Sequence, residues 1–137
     1  MRKSKLVINF ELEANIFGIV TTLKDYKLAW NLNQVFKINL VMQPKVVIEF
    51  IKGANLSIVN FSYQSEIQHF KLIKNKGTED SGNLIPELAN FDFFLMIGGG
   101  EGPLVVKPSE ILSNINGIEY YQYIDVTKLK SRDNFIF

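Results

Sequence analysis

Glu87 and Asp92 stand five positions apart in the segment Ile85-Pro86-Glu87-Leu88-Ala89-Asn90-Phe91-Asp92-Phe93. Two carboxylates that converge across a turn can divide the work of general acid and general base. They can equally contact a ligand, a cation or a protein partner. Either use needs a third group, and no spacing in the chain supplies one. The same residues also read as a structural corner. Pro86 fixes its own φ and suits the first position of a one-turn helix, where Glu87 is favoured by the N-terminal dipole. Leu88 and Phe91 are three apart, so both can point inward from that turn. Asp92 is placed to accept backbone N–H bonds where the turn becomes a strand. The corner is the favoured reading. A contact of Glu87 and Asp92 with a ligand or partner is the alternative.

Other routes to chemistry are poorly supplied. There is no cysteine, which excludes disulfides, thiolate nucleophiles and cysteine-bound zinc. The single His69 cannot build a histidine-rich metal site, and strand alternation turns it outward with Ile67 and Lys71. Ser57, Ser62, Ser65 and Ser81 lack the G-x-S-x-G context of a nucleophile elbow. The glycine run Gly98–Gly102 is followed by Pro103 and matches no phosphate-loop pattern. No catalytic residue, metal or cofactor is expected.

Binding residues are easier to nominate. Tyr121 and Tyr123 share one face of a late strand, with Tyr120 on the other. Aromatics on a sheet beside lysines can stack RNA bases. The RNP pattern is missing, however, and Asp92 puts an acid among the aromatics. The formal net charge of +1 gives no long-range steering toward phosphates. Lys71, Lys74 and Lys76, and Lys128, Lys130 and Arg132, read as solvated clusters. Nucleic acid is therefore not the favoured partner. Trp30 lies in a stretch that is apolar around much of a helix. The C-terminal Phe135, Ile136 and Phe137 would each cost roughly 1.5–3 kcal/mol to leave in water. That tail must dock, on its own sheet or on another subunit. These features point to a protein partner or a second copy, a homodimer being the expected assembly, through Trp30, Tyr121, Tyr123, Phe135 and Phe137.

The nine-residue segment resembles the signature of the IPExxxVDY proteins, a small bacterial family with no activity attached to it. Phe91 stands where the family name has Val, and Phe93 where it has Tyr. The approach Leu84-Ile85-Pro86-Glu87 and the stretch Leu23-Lys24-Asp25-Tyr26-Lys27-Leu28-Ala29-Trp30 are also similar to what the family leads one to expect. The resemblance implies a small, soluble, cytoplasmic protein, and it carries no catalytic residues.

The elements that must position these residues follow from periodicity. At 137 residues the chain suits one domain, 1–137, with 128–137 as a docking tail. Such a chain buries roughly two-thirds of its unfolded surface. Polar residues interrupt the first apolar stretch, so no secretory signal is expected, and no run approaches the ~18 apolar residues of a membrane span. A cytoplasmic setting is the expectation. Alternation predicts strands over 6–12 and 16–21, with Gly18 marking a bulge or a close approach. Helical spacing follows over 23–36, with Thr22 as candidate cap. Further strands are predicted over 38–42, 45–52, 56–63 and 66–74, the last three as an antiparallel meander. The polar loop 75–83 leads into the signature and an apolar, central strand 91–97. A second helix over 108–116 and a strand over 118–126 complete the chain. This order predicts an α+β fold: a mostly antiparallel sheet of about six to eight strands, with two main helices packed on one face.

Overall fold

The computed structural model describes residues 15–49, 55–78, 82–98 and 108–135. The predicted strand 6–12, the glycines 99–102, and Ile136 and Phe137 lie outside them. Eight strands form: β1 (Asn15–Thr21), β2 (Val41–Met42), β3 (Val46–Glu49), β4 (Asn55–Ile58), β5 (Asn60–Gln64), β6 (His69–Lys74), β7 (Phe93–Gly98) and β8 (Ile118–Ile124). Helix α1 spans Asp25–Phe36 and α2 spans Pro108–Leu112. Six strands make one sheet in the order β2-β5-β6-β7-β1-β8, and β3 and β4 pair separately. Every pairing between these strands is antiparallel. The α+β architecture is therefore as predicted.

Strand β7 holds the centre, flanked by β6 and β1, and Phe93 to Ile97 are all buried. Alternation sends Phe93, Leu95 and Ile97 to one side of the sheet and Phe94 and Met96 to the other. On the first side, Leu28, Ala29 and Leu32 of α1 cover the sheet together with Leu112 and Ile115. On the second side lie Leu56 and Ile58 of the small sheet, the signature residues Ile85 and Phe91, and Val126, Leu129 and Phe135 near the C-terminus. The sheet is thus buried on both faces, by helix on one and by the small sheet, the corner and the C-terminal segment on the other.

Several expectations need correction. The second helix has five residues rather than nine, so there is one main helix, not two. Beyond Leu112 the chain turns to reach Gly117, whose φ of 100° brings its α-carbon against Leu23; a Cβ there would sit 2.8 Å from the Leu23 side chain. Thr22 does not cap α1. The helix starts three residues later, with Lys24 as cap and no side-chain capping bond. The reason is Thr21, still in β1, whose hydroxyl takes the Leu23 N–H at 3.0 Å and itself donates to the Gly117 carbonyl. The predicted strand 56–63 is broken at Val59, and its halves serve different sheets. Asn60, almost fully buried, secures the break by donating its amide to the Pro44 carbonyl at 3.1 Å.

Gly18 is a close approach, not a bulge. An added Cβ would fall 2.6 Å from the Phe91 ring. The irregularity in β1 lies instead between Val20 and Thr21. Phe91 lies over Gly18 and stacks on Tyr120 with centroids 6.2 Å apart. Substitution Gly18→Ala should lower the unfolding free energy by about 1–3 kcal/mol, because a stiff ring must move. Urea denaturation measures it. Adding Phe91→Leu should recover part of that loss, since the smaller side chain vacates the contact.

Candidate functional site

The signature is a double turn wedged under the central strand. A single 3-10 turn covers Pro86–Leu88 with Pro86 at its start, as proline's fixed φ favours. The Leu88 N–H donates to the Ile85 carbonyl at 3.0 Å, and the Phe91 N–H to the Leu88 carbonyl at 3.1 Å. Leu84 and Ile85 ahead of the turn are fully buried, and Phe91 and Phe93 behind it nearly so. The apolar residues thus face the sheet, while Pro86 and Glu87 are exposed.

The organising residue is Asn75, the first residue of the predicted polar loop 75–83. It has no exposed surface. Its amide nitrogen donates to the carbonyls of Leu88 and Phe91, both at 2.9 Å, and its side-chain oxygen accepts from the Ile85 N–H at 2.9 Å. Its backbone adds two bonds, donating to the Asp92 carbonyl at 2.9 Å and accepting from the Leu84 N–H at 2.6 Å. One residue therefore binds the corner at five points between Leu84 and Asp92. An asparagine directly after an alternating strand was the available signal, but it looks the same as a turn former.

The two acids part company. Asp92 faces the end of β1, and its Oδ2 accepts from the Thr21 N–H at 2.9 Å. Glu87 faces the C-terminal segment, where its Oε2 accepts from the Ser131 N–H at 2.9 Å. Its own backbone N–H does most to hold the Glu87 carboxyl below its ordinary value of 4.5. Desolvation opposes this, and the Ser131 N–H and hydroxyl and the Lys130 backbone reinforce it. An open cleft of about 420 Å³ lies beside the corner, lined by Thr21, Leu23, Lys24, Asp25, Lys74, Lys76, Asp92 and Phe93. Asp92 contributes to it and Glu87 does not. Each carboxylate accepts a backbone N–H from a different part of the chain.

The remaining candidates scatter. Trp30 is 56% exposed on the outer side of α1. Tyr121 packs partly against the helix-side core, and Tyr123 meets Phe17 edge-on at 5.8 Å while staying exposed. Tyr120 donates to Gln122 at 2.8 Å on the outer part of β8. Phe135 is fully buried in its own chain, edge-on to Phe94 at 5.1 Å. Next to it the Asn134 amide donates to the Leu84 carbonyl at 2.8 Å. The tail, as far as Phe135, docks on the signature of its own chain. Among the described residues no group of three or more His, Cys, Asp or Glu could hold a metal ion, and no helix is long and apolar enough to cross a membrane. In comparisons with known proteins, no family model, no curated protein and no solved structure matches this chain.

Substitution Asn75→Ala leaves the Ile85 N–H and the Leu88 and Phe91 carbonyls without their side-chain partner. At about 1–3 kcal/mol for each buried group, a loss of roughly 3 kcal/mol or more is expected, read by denaturant titration. Glu87 adds a pH dependence. Its folded pKa is lowered, so its contribution is complete above the ordinary value of 4.5 and fades as pH falls through the lower folded value. Thermal melts over that acid range should show a smaller slope in Glu87→Gln than in the native chain. Equal slopes would mean that the lowered Glu87 carboxyl contributes nothing to stability.

Proposed function

We propose that the protein is a non-catalytic interaction module that associates with a second copy of itself. The outer face of α1 carries this reading. Tyr26 and Trp30, one turn apart, are 61% and 56% exposed, although Leu28, Ala29 and Leu32 on the inner face are buried. The helix has therefore satisfied its own sheet and still presents two large aromatics to water. Burial of such surface stabilises by roughly 25 cal/mol per Å². Tyrosine and tryptophan are also the residues that most often anchor the centre of an interface. Lys27 places its Nζ 5.9 Å from the centroid of the Trp30 ring, a polar neighbour of the kind found at interface rims. The end of α1 is tied to β2 through the Leu40 N–H, which donates to Asn33 Oδ1 at 2.7 Å, and Val41 and Met42 of that edge strand are exposed as well.

A twofold pair brings the same patch from each copy together, so a single aromatic surface serves both sides. The near-neutral charge balance supports a protein partner over nucleic acid. Phe135 does not contribute, because it is consumed within its own copy. Kinship with the IPExxxVDY proteins belongs to the same proposal and rests on the nine-residue segment and the Leu23–Trp30 stretch. So does a cytoplasmic setting, supported by a cysteine-free, charge-balanced composition.

Size-exclusion chromatography with light scattering tests the reading. A dimer mass at micromolar concentration is expected. The double substitution Tyr26→Ala, Trp30→Ala should weaken association by at least about tenfold, since central aromatic anchors commonly contribute over 1 kcal/mol each. Both positions are exposed, so the fold survives. A native chain that stays monomeric at every concentration, or a dimer indifferent to the double substitution, overturns the proposal.

A further inference from the structure

The turn between α2 and β8 holds the chain's single Asn-Gly step, Asn116-Gly117. Both residues are exposed, and Gly117 takes a φ of 100°. Among the described residues, no hydrogen bond engages the Asn116 side chain or the Gly117 N–H. Asn114 in the same turn is the contrast. Its amide donates to the Glu110 carbonyl at 2.9 Å, and the N–H that follows it, on Ile115, donates to the Leu112 carbonyl at 3.3 Å. The stability of an asparagine amide depends on the next backbone nitrogen, which can attack the side-chain carbonyl carbon. Glycine, without a Cβ, gives that nitrogen the least hindered approach. A β-branched residue such as Ile115 crowds it. Every other asparagine of the chain precedes a residue that carries a side chain.

We infer that Asn116 is a modification site, which loses its amide spontaneously with water as the only co-reactant. The Gly117 N–H gives its proton to solvent base. Its nitrogen bonds to Asn116 Cγ, the Cγ–Nδ2 bond breaks, and ammonia leaves with a proton taken from water. Water then opens the cyclic imide at either carbonyl. One opening gives aspartate. The other gives isoaspartate, whose main chain runs through Cγ and is longer by a methylene. No oxidant or reductant takes part. Either product adds a carboxylate and takes the formal net charge from +1 to neutral. Isoaspartate also displaces Gly117, whose carbonyl accepts the Thr21 hydroxyl and whose α-carbon lies against Leu23. Thr21 in turn accepts the Leu23 N–H at 3.0 Å. The lengthened link therefore acts on the junction where β1 passes into α1. The site is independent of self-association, since it includes neither Tyr26 nor Trp30.

Peptide mapping by mass spectrometry provides the test, on the full native chain held for weeks in neutral and in mildly alkaline buffer. The mass gain of amide-to-acid exchange should appear at Asn116 at least about tenfold faster than at Asn114, as the unhindered glycine and the crowded isoleucine imply. Alkaline buffer should speed it, because the Gly117 nitrogen must first lose its proton. In water enriched in heavy oxygen the new carboxylate carries the label. A protease that cuts ahead of aspartate separates the two products, since it spares isoaspartate. Asn116→Gln should abolish the gain, because the longer side chain disfavours the ring, and Asn114→Gln should leave it unchanged. The isolated isoaspartyl form should show shifted amide resonances for Thr21 and Leu23. The double variant Tyr26→Ala, Trp30→Ala should react at the native rate, so failure here and failure of self-association are told apart. An Asn116 that keeps its amide as long as Asn114 overturns the inference, as does a gain that persists in Asn116→Gln. Unmoved Thr21 and Leu23 resonances in the isoaspartyl form overturn the link to the α1 junction.

Discussion

A single side-chain amide, withdrawn completely from water, governs how this chain closes. Asn75 comes directly after the last residue of β6 and meets the corner that leads into β7. Its two amide hydrogens and its oxygen satisfy three backbone groups, and its own backbone satisfies two more. A buried amide that finds all its partners is stable and geometrically demanding, because any shift of the corner leaves polar groups unpaired in a dry place. The corner in turn sets the next residues in place. Phe91 is held over Gly18, Asp92 reaches the end of β1, and Phe93 starts the central strand at the correct height.

From that point the two sides of the sheet acquire different covers. Alternation along β7 sends large apolar groups both ways, so neither side can face water. Helix α1 closes one side with a regular apolar stripe. The other is closed by the small sheet, the corner and the C-terminal segment. Side chains tie parts of this second cover together. The Asn134 amide ties the tail to Leu84, and Glu87 ties it to Ser131. Both acids of the signature thus accept backbone N–H groups of the surrounding chain, while α1 carries the exposed aromatic surface.

Much of this was legible in the residues. The strands around 16–21, 66–74, 91–97 and 118–126, and the helix ending at Phe36, emerge close to where periodicity placed them. Gly18 was readable as a close approach, and Phe135 as a residue that must be buried. The misses have physical causes. The second helix stops at Leu112 because the chain must turn to bring Gly117 against Leu23 and Thr21. Thr22 resembles a cap, but Thr21 captures the local N–H first. Strand 56–63 reads as continuous because both halves alternate, yet a single residue at Val59 moves the chain from one sheet to another.

The sequence alone determined element types, the central place of the Phe93–Ile97 strand and the absence of thiol chemistry, since alternation, helical spacing and composition are local properties. Tertiary structure alone decided the partners of the polar side chains. Asn75 meets groups 10, 13 and 16 positions away, Glu87 meets Ser131 across 44, and Asp92 meets Thr21 across 71. Bonds over such separations leave no trace in neighbouring residues. They exist only once the packed sheet has brought distant backbone groups to the places where they need a donor or an acceptor.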